Sequence, residues 1–278
     1  MDNKRNQGEE LNQLARLLFD AAACRWQCAI ALELLAGVVA VFMSVREATL
    51  ATNALVAPIV AIGFGLSVWF RYRFEAIQEN AETMRRQSVM SEGLGWPIGH
   101  AQFLEWRARA GGRVLAKLER SVRDEDYYAT QKGFGPKRIA EMTTESAFWT
   151  KNLYRKIRAY FVVISLIAIV VVVFLLTTPP LIQYGSEAQL RLIYAVYLIV
   201  PVLIATDFLG YILRINRAMS ALGLIETDLE RLCEQESPEL QEVMRLVAEY
   251  NCAMASGVPI PGWFFRMYHD EIQKIWDA

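Results

Sequence analysis

Four long apolar runs constrain this chain more than any other feature. They are WQCAIALELLAGVVAVFMSV (26–45), LATNALVAPIVAIGFGLSVWF (50–70), AYFVVISLIAIVVVVFLLTT (159–178) and LIYAVYLIVPVLIATDFLGYIL (192–213). Each reaches the roughly 20 residues that an α-helix needs to cross a bilayer. A core helix of a water-soluble domain would show a charged face every third or fourth residue. These runs do not, and the third has no ionisable group except the Tyr160 phenol. The 54% apolar composition exceeds the roughly 45–50% of ordinary globular chains. The expected fold class is all-α: a four-helix transmembrane protein with a cytoplasmic helical bundle.

Basic residues set the orientation, because cytoplasmic flanks carry an excess of Lys and Arg. Lys4, Arg5, Arg16 and Arg25 precede the first run, and Arg71 and Arg73 follow the second. Lys151, Arg155, Lys156 and Arg158 precede the third, and Arg214 and Arg217 follow the fourth. The expected organisation is a cytoplasmic N-terminal helix (1–25), a membrane hairpin (26–70), a cytoplasmic helical region (71–158), a second hairpin (159–213) and a cytoplasmic tail (214–278). The expected location is a bacterial inner membrane, with both termini cytoplasmic. No cleavable signal is apparent, because the first apolar run starts late and is long enough to span.

Charge is divided between the two cytoplasmic segments. Residues 71–158 hold 17 Lys/Arg against 11 Asp/Glu, whereas 214–278 hold 6 against 11. The two segments attract each other, and the expected bundle forms from both. The run 71–90 has no proline or glycine, and 96–126 reads as a helix broken at Gly111-Gly112. Ile139, Met142, Ser146, Trp149 and Leu153 repeat at 3-4-3-4 spacing, a narrow stripe suited to helix-on-helix packing. Ser237-Pro238-Glu239 reads as a helix start, and a short helix follows the loop SGVPIPG.

Catalytic signatures are lacking. The stretch DYYATQKGFGPKR (126–138) has neither Walker nor GxGxxG spacing, and no GxSxG or HExxH occurs. Cys24, Cys28, Cys233 and Cys252 are scattered thiols, and His100 and His269 are isolated. No metal site, catalytic site or cofactor is expected.

Two groups of residues remain as candidates. Glu33, Asn53 and Asp207 are polar groups at membrane depth, where a carboxylate costs about 2.5–3.5 kcal/mol and turns toward a partner or water. They are candidates for a pore or gate, or for hydrogen bonds between helices. Arg85, Arg86, Lys132, Lys137 and Arg138, with Tyr127 and Tyr128, are candidates to hold a nucleotide or phosphate by charge and stacking. The basic members serve equally as contacts to anionic lipid.

Several short motifs resemble the SMODS-associated four-transmembrane effector family of bacterial anti-phage systems such as CBASS. They are Ile77-Gln78-Glu79, Asp126-Tyr127-Tyr128, the polar helix with Glu145, Ser146, Trp149 and Leu153, and Pro259-Ile260-Pro261 followed by Trp263-Phe264-Phe265. Thr144-Glu145-Ser146-Ala147 departs from the pattern, which has Gln-Arg-x-Asn there. The layout is also similar to the membrane effector of the Hailong system. The resemblance implies a signal-gated pore or channel; four helices per subunit are too few to enclose one, so a homo-oligomer is expected, with a tetramer as the first choice. The pore would be controlled by a nucleotide or oligonucleotide messenger from a partner nucleotidyltransferase, and would disrupt the membrane and arrest growth. The alternative is a membrane scaffold that recruits a cytoplasmic partner through its acidic tail.

Overall fold

The structure, a computed structural model, describes residues 2–45, 50–120, 127–181 and 207–277. Side chains are described for 7–39, 58–120, 127–170, 173–174 and 207–277. Among the described residues the chain is all-helical, with eight helices and no strand: α1 (Asp2–Val45), α2 (Leu50–Leu94), α3 (His100–Ala110), α4 (Gly112–Arg120), α5 (Pro136–Leu181), α6 (Phe208–Glu234), α7 (Leu240–Ala255) and α8 (Gly262–Trp276).

Three helices are far longer than a bilayer requires. α1, α2 and α5 have 44, 45 and 46 residues, or about 65–70 Å each at 1.5 Å per residue. Each joins an apolar run to a polar, amphipathic one without a break, and α2 continues through Pro58. Among the described residues, two helical stretches are long and apolar enough to cross a membrane, Gln7–Val39 and Phe208–Glu234. Residues 192–206 of the fourth apolar run lie outside the described residues.

Helix boundaries follow local chemistry. Gly111, with φ +78°, separates α3 from α4, as the Gly-Gly pair predicts. Proline opens α5, where its missing N–H costs nothing, and Ile139 N–H donates to the Gly135 carbonyl at 3.2 Å. The start of α7 differs from the expectation. Pro238 is buried, and the helix begins at Leu240 with Glu239 as its cap. Proline is used here for packing before the helix, and Ser237 does not cap it.

The chain divides into two compact units. The first comprises Met1–Ala23, Glu75–Ile157 and Arg214–Ala278. Its core brings Leu11, Leu14, Ala15 and Leu18 of α1 against Ala81 and Met84 of α2 and Trp106 and Ala110 of α3. Ile215, Ala218, Leu222, Ile225, Leu229 and Leu232 form a fully buried 3-4-3-4-3 stripe on α6. Val243, Leu246, Val247 and Tyr250 bury one face of α7. At Gly93 an added Cβ would lie 2.7 Å from Ile139 Cβ, so α2 and α5 approach closely here. The acidic tail is engaged within this unit: Lys151 pairs with Glu226, and Lys156 Nζ lies 2.5 Å from Glu271 Oε1.

The second unit comprises Cys24–Phe74 and Arg158–Leu213. Ala36 and Gly63 meet at the contact of α1 and α2, where an added Cβ on Gly63 would lie 3.5 Å from Ala36 Cβ. Small residues at a contact let helix backbones approach closely. Trp26 Nε1–H donates to the Tyr211 hydroxyl at 2.8 Å. Phe161 stacks on Tyr211 with centroids 5.7 Å apart.

Candidate functional site

A cavity of about 600 Å³ opens inside the first unit, within the roughly 300–1,000 Å³ of small-molecule sites. Helical spacing assembles its walls. Asn12, Arg16, Phe19 and Asp20 face it from α1, and Gln78, Glu82 and Arg85 from α2. Glu145, Ser146, Trp149, Leu153 and Tyr154 face it from α5, Tyr250 from α7, and Phe265, Arg266, His269 and Gln273 from α8. Residues three and four apart share a helix face, so each group is one stripe of its helix. Tyr127 and Tyr128 reach the cavity from the loop before α5.

The stripe 139-142-146-149-153 is split by this cavity. Ile139, Met142 and Leu153 are buried as helix packing requires. Ser146 and Trp149 are only half-buried, and line the cavity.

One group of contacts is cationic and phenolic. The Arg16 guanidinium lies 3.6 Å from the Tyr127 ring centroid, a cation–π contact. Arg85 lies over Tyr250 at 5.2 Å. Its Nε and Nη2 donate to Glu82 Oε2 at 3.2 and 2.9 Å, and Nη2 also donates to Asn251 Oδ1 at 3.0 Å. Burial presses the Arg85 guanidinium down, but Tyr250 and Glu82 outweigh it, so Arg85 stays charged. Burial raises the Tyr128 phenol, which keeps it a neutral donor.

A second group is aromatic. Trp149 stacks with His269 at 5.3 Å and 27°, and lies 5.6 Å from Phe265. One turn before Trp149, Glu145 accepts a hydrogen bond from the Ala129 amide at 3.0 Å. Burial raises the Glu145 carboxyl, although the Ala129 amide pulls the other way. On α2, the buried Oε1 of Gln78 has no hydrogen-bond partner among the described residues.

The sequence candidates fall in different places. Arg85, Tyr127 and Tyr128 line the cavity. Arg86 ion-pairs with Glu82, with its Nε 3.9 Å from Oε2. Of the remaining basic residues, Arg138 holds the loop. Arg138 donates to the carbonyls of Glu92 at 2.7 Å, Lys132 at 2.6 Å and Thr130 at 3.3 Å. Lys137 donates to the Gln235 carbonyl at 2.9 Å. Lys132 has its backbone N–H 3.4 Å from Thr130 Oγ1, and is exposed. Asp126 and the Asn53 side chain lie outside the described residues.

In the second unit, Glu33 is buried and engaged. Its Oε1 accepts from Ser67 Oγ at 2.5 Å and Arg71 Nε at 2.9 Å, and its Oε2 accepts from Arg71 Nη2 at 2.7 Å. Of the two readings of Glu33, this geometry is that of a carboxylate bonded between helices. Asp207 precedes α6 with φ +50°, and its carbonyl accepts from the Tyr211 N–H at 2.9 Å.

Sequence reasoning missed Arg16, Tyr250, Arg266 and His269 as cavity residues. Gln78 and Trp149 entered only as parts of motifs. The usable signal was a polar or aromatic side chain placed on an otherwise buried helix stripe. No protein-family model, curated protein or solved structure matches this chain.

Proposed function

We propose that this is a multi-pass membrane effector whose membrane helices are controlled by a nucleotide or short oligonucleotide bound in the cavity of the first unit. The observation that carries the reading is that three arginines (Arg16, Arg85 and Arg266) and three aromatic residues (Tyr127, Trp149 and Tyr250) line one cavity, with Arg16 on Tyr127 and Arg85 over Tyr250. Guanidinium groups suit phosphate oxygens, and aromatic rings stack on bases. Lined by the same three long helices that continue into apolar segments, the cavity has a direct route to them: α1, α2 and α5 are each unbroken.

The multi-pass arrangement is supported by large side chains left exposed on the second unit. Leu35 and Val38 on α1, Ile59 and Ile62 on α2, and Leu166, Val170 and Phe174 on α5 all face outward. An apolar surface on several helices at once suits hydrocarbon and not water. The fourth span, the inner-membrane location with cytoplasmic termini, and assembly into a homo-oligomer complete the reading. With the resemblance to SMODS-associated and Hailong effectors, the ligand would be the messenger of a partner nucleotidyltransferase. The outcome would be a gated pore that arrests an infected cell. A ligand moves such an equilibrium only by preferring one state.

The test is ion flux from proteoliposomes holding the purified protein, with and without short 5′-phosphorylated oligonucleotides of mixed sequence. The expected result is a change in flux that disappears in Arg85→Met. Flux that ignores oligonucleotide in the wild type overturns the reading.

A further inference from the structure

The Trp149 ring, on which a base would stack, already carries a ring of the protein's own. His269 of α8 stacks on it with centroids 5.3 Å apart and planes at 27°. Phe265, one turn earlier on α8, tilts against the same ring at 5.6 Å. A base can take that face of Trp149 only after the imidazole has left it.

The imidazole can leave at little cost. Its side chain is 45% exposed, and its Nδ1 lies 3.1 Å from Oδ1 of the exposed Asp270 beside it. Swinging into water therefore strands no buried polar atom. The helix that carries it is lightly held too. Of its 15 residues α8 buries two, Phe264 and Ile272, whereas α7 buries five of 16. Segments with few buried apolar contacts are those that open first. The N-terminal end of α8 is the anchored one. Tyr154 holds both backbone groups of Val258 just before it, and Gly262 packs so closely on the Asp20 carboxylate that a Cβ would collide with it. Further along, Glu271 pairs with Lys156 in an ion pair open to water, which contributes little. Trp276 lies against Phe148 with ring centroids 4.9 Å apart.

Resting on the nucleotide reading above, we infer that α8 is a lid on the cavity and that His269 is a built-in occupant of the base position, displaced when a nucleotide base takes its place on Trp149. Magnitudes favour the exchange. Stacking a base on an aromatic side chain is worth roughly 5- to 150-fold in affinity, against about 2- to 12-fold for an aromatic pair within a protein. The base wins, but its affinity is reduced by the stack it must undo. An anion without a base, such as pyrophosphate, has no ring to offer Trp149 and leaves the lid shut. The lid thus makes opening a response to the base and not to negative charge alone.

The experiment uses the full-length protein in nanodiscs, with 5′-phosphorylated diadenylate (pApA) and pyrophosphate as probes. Amides 263–276 are expected to exchange with solvent about 2- to 12-fold faster at saturating pApA and to be unchanged by pyrophosphate. By calorimetry, His269→Ala should bind pApA about 2- to 12-fold tighter than wild type, and His269→Phe, which restores a ring on Trp149, should return to within about twofold. Wild-type protein that binds pApA with unchanged or slower exchange in α8 overturns this inference and leaves the nucleotide reading intact. Equal or weaker pApA binding by His269→Ala does the same, as does opening of α8 by pyrophosphate to the extent seen with pApA. Absence of pApA binding by the wild type overturns both. The exchange comparison is made on the wild type, so it decides the matter even if His269→Ala fails to fold.

Discussion

The Tyr154 hydroxyl bonds twice to one residue: it donates to the Val258 carbonyl at 3.0 Å and accepts from the Val258 amide at 3.1 Å. This double bond to the backbone ties α5 to the loop between α7 and α8, and that loop forms part of the cavity wall. Burial raises the Tyr154 phenol far above its ordinary value, so it remains a donor at any physiological pH.

Removing that hydroxyl should loosen the wall. Tyr154→Phe leaves a buried N–H and C=O unmet, at a cost of about 1–3 kcal/mol. Next door, a Cβ on Gly257 would lie 2.1 Å from the same hydroxyl. Gly257→Ala should therefore destabilise by roughly 1–3 kcal/mol through overpacking. Adding Tyr154→Phe to it should cost less than the sum of the two, because the clashing atom is gone. Denaturation midpoints of the three variants check this, and strict additivity would separate the two effects.

The buried pair in the second unit should respond unequally to its two partners. Arg71→Met leaves the Glu33 carboxylate buried with Ser67 alone, which should cost about 3–5 kcal/mol. Glu33→Gln removes the charge but keeps an acceptor for Ser67 and Arg71, and should cost less than Arg71→Met. Thermal melts in a fixed detergent give the order. In the flux assay, equal behaviour of Glu33→Gln and wild type would assign Glu33 to helix packing alone.

Glu145 should make stability depend on pH. Its folded-state carboxyl is raised, so the folded protein holds a proton that the unfolded chain has released. Stability therefore falls as pH rises from the unfolded carboxyl value through the raised folded value. Glu145→Gln keeps an acceptor for the Ala129 amide and should flatten that slope. Urea midpoints across the weakly acidic range measure it, and parallel curves for the two proteins would refute the assignment.

The loop that carries Tyr127 and Tyr128 should depend on Arg138 more than on its lysines. Arg138→Met frees three carbonyls, and amides between 127 and 135 should exchange with solvent roughly 10-fold faster, as the loss of over 1 kcal/mol of local stability implies. Lys132→Met changes an exposed side chain, and exchange should stay within about twofold of wild type. Hydrogen exchange on the intact protein distinguishes them.

Helix positions and apolar segments were legible in the sequence because they are local properties. Length and missing charge mark 26–45 and 159–178, Gly111 breaks a helix by its backbone freedom, and Pro136 starts one because its first turn needs no N–H. The stripe on α5 showed which face is buried, yet not what it meets. That Ile139 packs on Gly93 while Trp149 faces a cavity depends on where α2 and α8 lie, and those helices are distant in the chain. The same limit governed the basic residues. Composition could not tell Arg85, at a cavity wall, from Arg138, which holds its own loop, because both read only as positive charge in a basic segment. Glu33 looked like an isolated carboxylate until Arg71, 38 residues away, proved to be its partner. What the sequence determined was which segments are helical and which faces avoid water. Only the tertiary structure decided which polar groups meet, because partnership is a property of two faces and a sequence pattern describes one at a time.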